Sequence, residues 1–372
     1  MPEKKRQHYV PQFYLRNFSW DDLKPIHLCH IKTGKQITAS NLATQCYEDY
    51  FYGKDLVIEE TFATLEGHVS PIIKNIIATG CAPTSNTPDA HALLAFILLQ
   101  YGRTKSHSEE NDEQLEKLVK FIAEKEGIPP EELAALGIKY TNPTIPSLKA
   151  IAQSLPVAYD LKCKVLRNEI DINFVTSDNP VILYNQYGED RNARSNIGLA
   201  CKGLQILYPI SPRRIVMLYD GAVYKIGQRR DGFARITQKT DVQQLNDLQW
   251  RNALENVYFD NRQNRSEIFR GYGTNVPKRN AERIHLVASP GVDQGDGTSA
   301  VMVTTSKVEH KSRLDLAFVR QRQTISDTER DSGQLLLRNP ALSGASVAFL
   351  GGMDAGKYKA SEFGRFLRDR EL

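Results

Sequence analysis

Between residues 56 and 79 the apolar side chains fall at 58, 62, 65, 69, 72, 73, 76 and 77, the spacing of one helix face. Pro71 lies inside that pattern and predicts a kink or a split. Pro88 opens a second helical stretch to about residue 105, and a charged amphipathic segment continues to about 126. Gly127, Pro129, Pro130, Pro143 and Pro146 mark a connector, and a helix near 147–158 follows it. The period then shortens. Runs at 164–166, 173–176, 181–183, 204–207 and 214–219 read as strands, and helical spacing returns from Asp241 to Phe259. Nearer the start, 26–31 and 35–37 flank Lys32-Thr33-Gly34 as a hairpin whose glycine supplies positive φ. The pattern predicts an α+β fold, a helical N-terminal half packed on a mainly antiparallel sheet.

Composition adds a boundary. Beyond Pro290 the chain turns to Gly, Ser, Asp and Thr. We therefore expect one main domain over 1–290 and a C-terminal extension over 291–372, partly flexible and ending in a basic helix near 358–370. A hydrophobic share of 41% and a charged share of 25% exclude a wholly disordered chain. The apolar-rich run at 90–99 falls short of the roughly 20 residues that cross a bilayer, so no membrane partner is expected. The charged opening Met1-Pro2-Glu3-Lys4-Lys5-Arg6 has no apolar run behind it. The five cysteines are scattered and odd in number, and with that opening they predict a cytoplasmic protein. Net charge is +4, with an acidic excess over 109–132 and Arg-rich stretches at 213–235 and 262–283. A basic face is compatible with a nucleic-acid or nucleotide partner, and equally with solvated surface.

Three segments carry candidate chemistry. In the first, His8 stands among Tyr9, Gln12, Tyr14 and Arg16. Neutral imidazole serves as base or metal ligand near pH 7, while the aromatic neighbours fit core anchors equally well. The second, Thr176-Ser177-Asp178-Asn179-Pro180, interrupts an apolar strand; such a strand end can hold a metal or phosphate, or simply make a turn. The third lies on helices: Glu59, Glu60 and Glu66, then Gln100, Arg103 and Thr104. Glu59 and Glu66 share a face, and a carboxylate face is raw material for a divalent-metal site, although exposed glutamates are commoner. Gln100 with Arg103 could clamp a phosphate or carboxylate, or cap a helix C-terminus. Gly351 to Lys357 matches G-x-x-x-x-G-K, but Tyr358 stands where a phosphate loop needs Ser or Thr. His27, Cys29 and His30 lack a second pair at zinc spacing.

His8-Tyr9-Val10-Pro11-Gln12-Phe13-Tyr14-Leu15-Arg16-Asn17-Phe18 resembles the opening signature of the family DUF4238, a domain of unknown function. Glu48-Asp49-Tyr50-Phe51-Tyr52, the stretch 59–66, Gln100-Tyr101-Gly102-Arg103-Thr104, the stretch 174–181 and the stretch 245–258 follow in the order that the resemblance implies. The likeness covers about 7–290 and implies that the motif residues form one site, without saying what that site does.

On this reading the first expectation is a metal-assisted phosphodiester hydrolase, nuclease-like, acting in bacterial defence against foreign nucleic acid. His8, Glu66 and Asp178 would hold the metal or activate water, with Glu66 and Asp178 as ligands to Mg or Mn. Gln12, Arg16, Gln100, Arg103 and Asn179 would bind substrate. The alternatives are a non-catalytic nucleotide or nucleic-acid recognition module, or an interaction partner in a larger complex.

Overall fold

In the strands Gln205–Ser211 and Arg214–Tyr219 every second side chain faces the same way, and both faces are buried. Ile206, Tyr208, Ile210, Val216 and Leu218 join the core beneath the two long N-terminal helices. Leu207, Ile215, Met217 and Tyr219 join a second core with Val242, Leu245 and Leu248 of the helix Lys239–Asn252. Each fully buried aliphatic of this kind contributes roughly 1.5–3 kcal/mol, so the sheet is anchored from both sides. The computed structural model describes all residues except 1–4, 20–24, 192–195, 229, 261–264, 281, 294–298, 309–311, 332, 360–361 and 371–372.

The fold is α+β. Its central sheet runs in the order Phe233–Ile236, Lys162–Asn168, Arg214–Tyr219, Gln205–Ser211, Ile182–Tyr184. All neighbours are antiparallel except the first pair. The helices Val57–Thr79 and Pro88–Gly102 cover one face, as the sequence predicts. A second, four-stranded antiparallel sheet joins Gln36–Asn41, Pro25–His30, Asn256–Phe259 and Thr176–Ser177. Its first two strands form the expected hairpin, with Gly34 at φ 67°.

Four local expectations need correction. The helix Val57–Thr79 continues through Pro71 instead of splitting. Pro71 and Gly67, whose carbonyl the proline cannot bond, are both exposed, so water satisfies the lost hydrogen bond. The second helical stretch ends at Gly102, and a new helix runs Lys105–Glu126. A Cβ at Gly102 would sit 2.2 Å from Ile151 Cδ1, so the glycine leaves room for the present Ile151 rotamer on the helix Thr144–Ser154. The Pro-rich connector holds a short helix, Pro130–Leu136. Finally, the helix starting at Lys239 stops at Asn252, and Asn256–Phe259 is a strand. Val257, Tyr258 and Phe259 are strand-forming residues whose apolar spacing also fits a helix.

Residue 290 falls within the strand Ile284–Asp293, which pairs with Ser299–Lys307. Further on, Gly351 and Gly352 lie inside the helix Pro340–Asp354, where a phosphate loop cannot form. Among the described residues no helix is long and apolar enough to cross a membrane.

Candidate functional site

The sequence-predicted residues gather into two hydrogen-bonded groups. In the first, His8 Nε2 lies 3.1 Å from Gln12 Nε2, and His8 has Glu66 as its acidic neighbour. Burial lowers the pKa of His8, which favours the neutral ring. Arg103 is 1% exposed. Its Nε donates to Gln100 Oε1 at 2.7 Å and its Nη1 to Glu66 Oε1 at 2.7 Å, while Gln100 Nε2 donates to the Tyr9 carbonyl at 2.9 Å. The guanidinium also lies 4.4 Å from the centroid of Phe62 and 5.6 Å from that of Phe96. The carboxylate that Arg103 meets is the protein's own Glu66, while Gln100 is held between Arg103 and the Tyr9 carbonyl. Arg16 is exposed, on the far side of its short 3₁₀ turn from buried Phe18.

The second group is the interrupted strand. Thr176 Oγ1 meets Tyr14 Oη at 2.5 Å, and Ser177 Oγ donates to Gln249 Oε1 at 2.8 Å. Asp178 is 2% exposed, and its carboxylate accepts the backbone N–H groups of Leu254, Glu255 and Asn256 at 2.7, 2.6 and 2.9 Å. Burial pushes this carboxyl up to about 6 against the pull of the three amides. Asn179 and Asn252 exchange amide-to-carbonyl bonds, and Thr104 Oγ1 donates to Asn179 Oδ1 at 3.2 Å. Of the two readings of this strand end, the buried Asp178 carboxylate serves the turn. It stops the helix at Asn252 and holds the turn 252–256, because three converging amides need a buried acceptor. Arg103 and Thr104 are adjacent, yet one serves the Glu66 group and the other the Asp178 group. Among the described residues no group of three or more His, Cys, Asp or Glu side chains could hold a metal ion.

Asn252, the first residue of the turn that Asp178 holds, lines a cleft of about 720 Å³. Tyr101 of the Gln100–Thr104 motif lines it, with the edge strand Ile182–Tyr184, Glu189, Arg251, Asn252, Lys307 and Arg313. Lys307 Nζ pairs with Glu110 at 2.8 Å and lies 5.5 Å from the Tyr101 ring centroid. Burial opposes its charge, but Glu110 wins and holds its pKa above the ordinary lysine value. Arg313 is 78% exposed at the mouth, 3.8 Å from Glu189 and 3.6 Å from Asp190. Burial pushes Glu189 up to about 7. A second, mostly apolar cleft of about 870 Å³ lies by Cys201, Leu337 and Val347, away from every motif residue.

Sequence reasoning did not find Glu110, Glu189, Arg251 or Lys307. The signal that pointed this way was charge blocks: the acidic stretch from 109 meets the Arg-rich stretch through Arg283 with Glu109, and Glu113 Oε1 accepts the N–H groups of Arg283 and Ile284.

Behind the cleft His107 is buried, its ring 4.1 Å from that of Tyr101 and its Nε2 3.6 Å from Glu110. Burial pushes its pKa down to about 4. Between pH 6.5 and 4 the unfolded chain therefore takes up a proton that the folded chain refuses, so stability is lost as pH falls. The His107 contribution to urea unfolding should be a loss of about 3 kcal/mol across that window, opposed by gains from Asp178 and Glu189, whose carboxyls burial holds above their ordinary range. It is read as the difference between wild type and His107→Gln, which should lack that loss; an identical pH dependence in the two would show that His107 contributes none of it.

The chain matches the model described as "Protein of unknown function (DUF4238)" over residues 6–263. No curated protein and no solved structure matches it. The chain belongs to that family.

Proposed function

Since that family carries no activity with it, we propose from the cleft itself that the protein recognises a nucleotide-class small molecule. One observation carries the reading. The cleft places the aromatic ring of Tyr101 and the amide side chain of Asn252 beside the cations Arg251, Lys307 and Arg313. A ring for stacking, the Asn252 Oδ1 as acceptor for a base edge (its Nδ2 is committed to the Asn179 and Val181 carbonyls) and cations for phosphate are elements of nucleotide recognition. At about 720 Å³ the cleft falls in the range of roughly 300–1,000 Å³ typical of small-molecule sites. The carboxylates that the sequence offers to a metal have other work: Glu66 holds Arg103, and Asp178 holds three amides.

Calorimetric titration with 5′-nucleotides, nucleosides and short DNA and RNA strands tests this. Nucleotides are expected to bind, and Arg313→Gln should weaken them severalfold and make their binding less sensitive to salt, as loss of one phosphate contact does. Arg313 is mostly exposed, so the fold should be unaffected. Binding of strands but not of mononucleotides would replace the small-molecule reading with nucleic-acid recognition; no binding by either would end both.

One observation favours hydrolysis as the second reading. Glu189, in the cleft wall with its pKa at about 7 and Oε1 held by the Leu314 N–H at 3.1 Å, is poised for acid–base work on a phosphoester. Incubating nucleotides and strands with the protein in Mg²⁺ and Mn²⁺ tests it, since turnover lost in Glu189→Gln would show cleavage beyond recognition.

A further inference from the structure

The cleft of about 720 Å³ shares Arg251, Asn252, Lys307 and Val308 with an adjoining second chamber of about 40 Å³. Four cations line this chamber, Arg251, Arg279, Arg283 and Lys307, against two carboxylates, Glu110 and Glu282. Part of that charge is spent: Lys307 pairs with Glu110, and Arg283 with Glu109 from outside the lining. Arg279 is different. Its Nη1 is buried with no hydrogen-bond partner among the described residues. Burial lowers its pKa, Asp178 opposes this in part, and Arg283 beside it adds to the lowering. A buried guanidinium nitrogen without an acceptor is costly, and a chamber lined by like charges is costlier still unless an anion completes it.

The remaining wall favours the same occupant. Ser106 lines the chamber from the first turn of the 22-residue helix Lys105–Glu126. The side chain of its N-cap, Thr104, makes no capping bond, since the hydroxyl is given to Asn179 and His107. That end of the helix therefore turns its positive pole towards the chamber without a side-chain acceptor. Size decides between anions. One water needs roughly 10–15 Å³, so 40 Å³ admits a single tetrahedral group and not a strand running through. With Glu109 counted against Arg283, four cations face three carboxylates, and the chamber keeps a positive balance that favours an anionic group such as a phosphomonoester.

We propose that this chamber seats the terminal phosphate of the ligand, so that the protein selects phosphomonoesters over nucleosides and over internal phosphodiesters. The proposal rests on the nucleotide reading of the large cleft for the rest of the ligand, but the seat can be tested alone.

The test follows the ³¹P line width of inorganic phosphate titrated with the full-length protein, with nucleoside 5′-monophosphates and nucleosides titrated by calorimetry in parallel. Wild type should broaden the phosphate line. Arg279→Gln should weaken phosphate at least tenfold, and Asn280→Glu, which adds a carboxylate at the exposed rim, should do the same without touching the interior. Arg235→Gln, on the distant sheet edge, should change nothing. Monophosphates should bind at least tenfold tighter than nucleosides in wild type, and equally with them in Arg279→Gln. Phosphate bound without any nucleotide preference would uphold the seat and sink the nucleotide reading. Nucleotides bound with the same affinity in Arg279→Gln would do the reverse. No broadening by wild type, or broadening unaffected by both seat variants, overturns the proposal.

Discussion

Glu66→Ala is expected to destabilise the fold by about 2–4 kcal/mol, although Glu66 is 25% exposed and reads in the sequence as one more surface glutamate. The reason lies in its partner. Arg103 is buried between Phe62 and Phe96, and Glu66 supplies the negative charge that the guanidinium faces. Removing one partner of a buried pair leaves the other charge uncompensated, which costs about 3–5 kcal/mol when both are fully buried. The range here is lower because water already reaches Glu66 and can follow into the space left behind. Replacing the guanidinium with an apolar chain of similar length removes the orphaned charge, so Glu66→Ala with Arg103→Met should be more stable than Glu66→Ala alone. Gln100 then loses the donor to its Oε1, which keeps the recovery partial. Urea denaturation of the two single variants and the double variant closes the cycle. Strict additivity would show that the pair is not coupled and that Arg103 is held by its aromatic neighbours.

The long helices were legible because their apolar faces are local: 58, 62, 65, 69, 72, 73 and 76 predict the helix Val57–Thr79 from its own residues. The same holds for the strands of the central sheet, whose apolar runs are short and bounded. What was not legible depends on partners far away in sequence. Nothing in residues 245–258 alone says that the helix must stop at Asn252, since Leu254, Val257 and Tyr258 continue a helical spacing. The instruction comes from Asp178, which collects the amides of 254–256. The edge strand Phe233–Ile236 escaped for a related reason, since it pairs in parallel with Lys162–Asn168 across a long excursion. The candidate site shows both cases. Gln100 and Arg103 come together because they are one helical turn apart, and His8 and Gln12 because only a short bend separates the strand Arg6–His8 from the helix Gln12–Leu15. Glu110 with Lys307, and Arg251 with Arg279 in one chamber, required the helices Lys105–Glu126 and Lys239–Asn252 to meet the strand Ser299–Lys307 and the segment after Lys278.

Asp178→Ala is expected to cost about 3–5 kcal/mol, the largest loss of any single change to the motif residues. An acid at the surface would be worth within about ±0.5 kcal/mol, and a metal ligand could be lost with the fold intact. The structure assigns Asp178 neither environment. Three backbone N–H groups point at one buried carboxylate, and alanine would leave all three without an acceptor. An unsatisfied buried amide costs about 1–3 kcal/mol. Leu254, Glu255 and Asn256 are only half-buried, so water can restore part of this, which keeps the total below the sum of three. Asp178→Asn separates charge from geometry: its Oδ1 can still accept, while its amide nitrogen faces at least one N–H donor. It should therefore cost less than alanine and more than zero. The damage should also spread along the chain. The turn 252–256 carries Asn252 into the cleft and starts the strand Asn256–Phe259, which joins the hairpin strand Pro25–His30 to Thr176–Ser177. Hydrogen exchange at 254–259 should accelerate in Asp178→Ala before the central sheet is affected, and ligand affinity should fall with it. A variant of wild-type stability and unchanged exchange would return Asp178 to the role of an accessible acid.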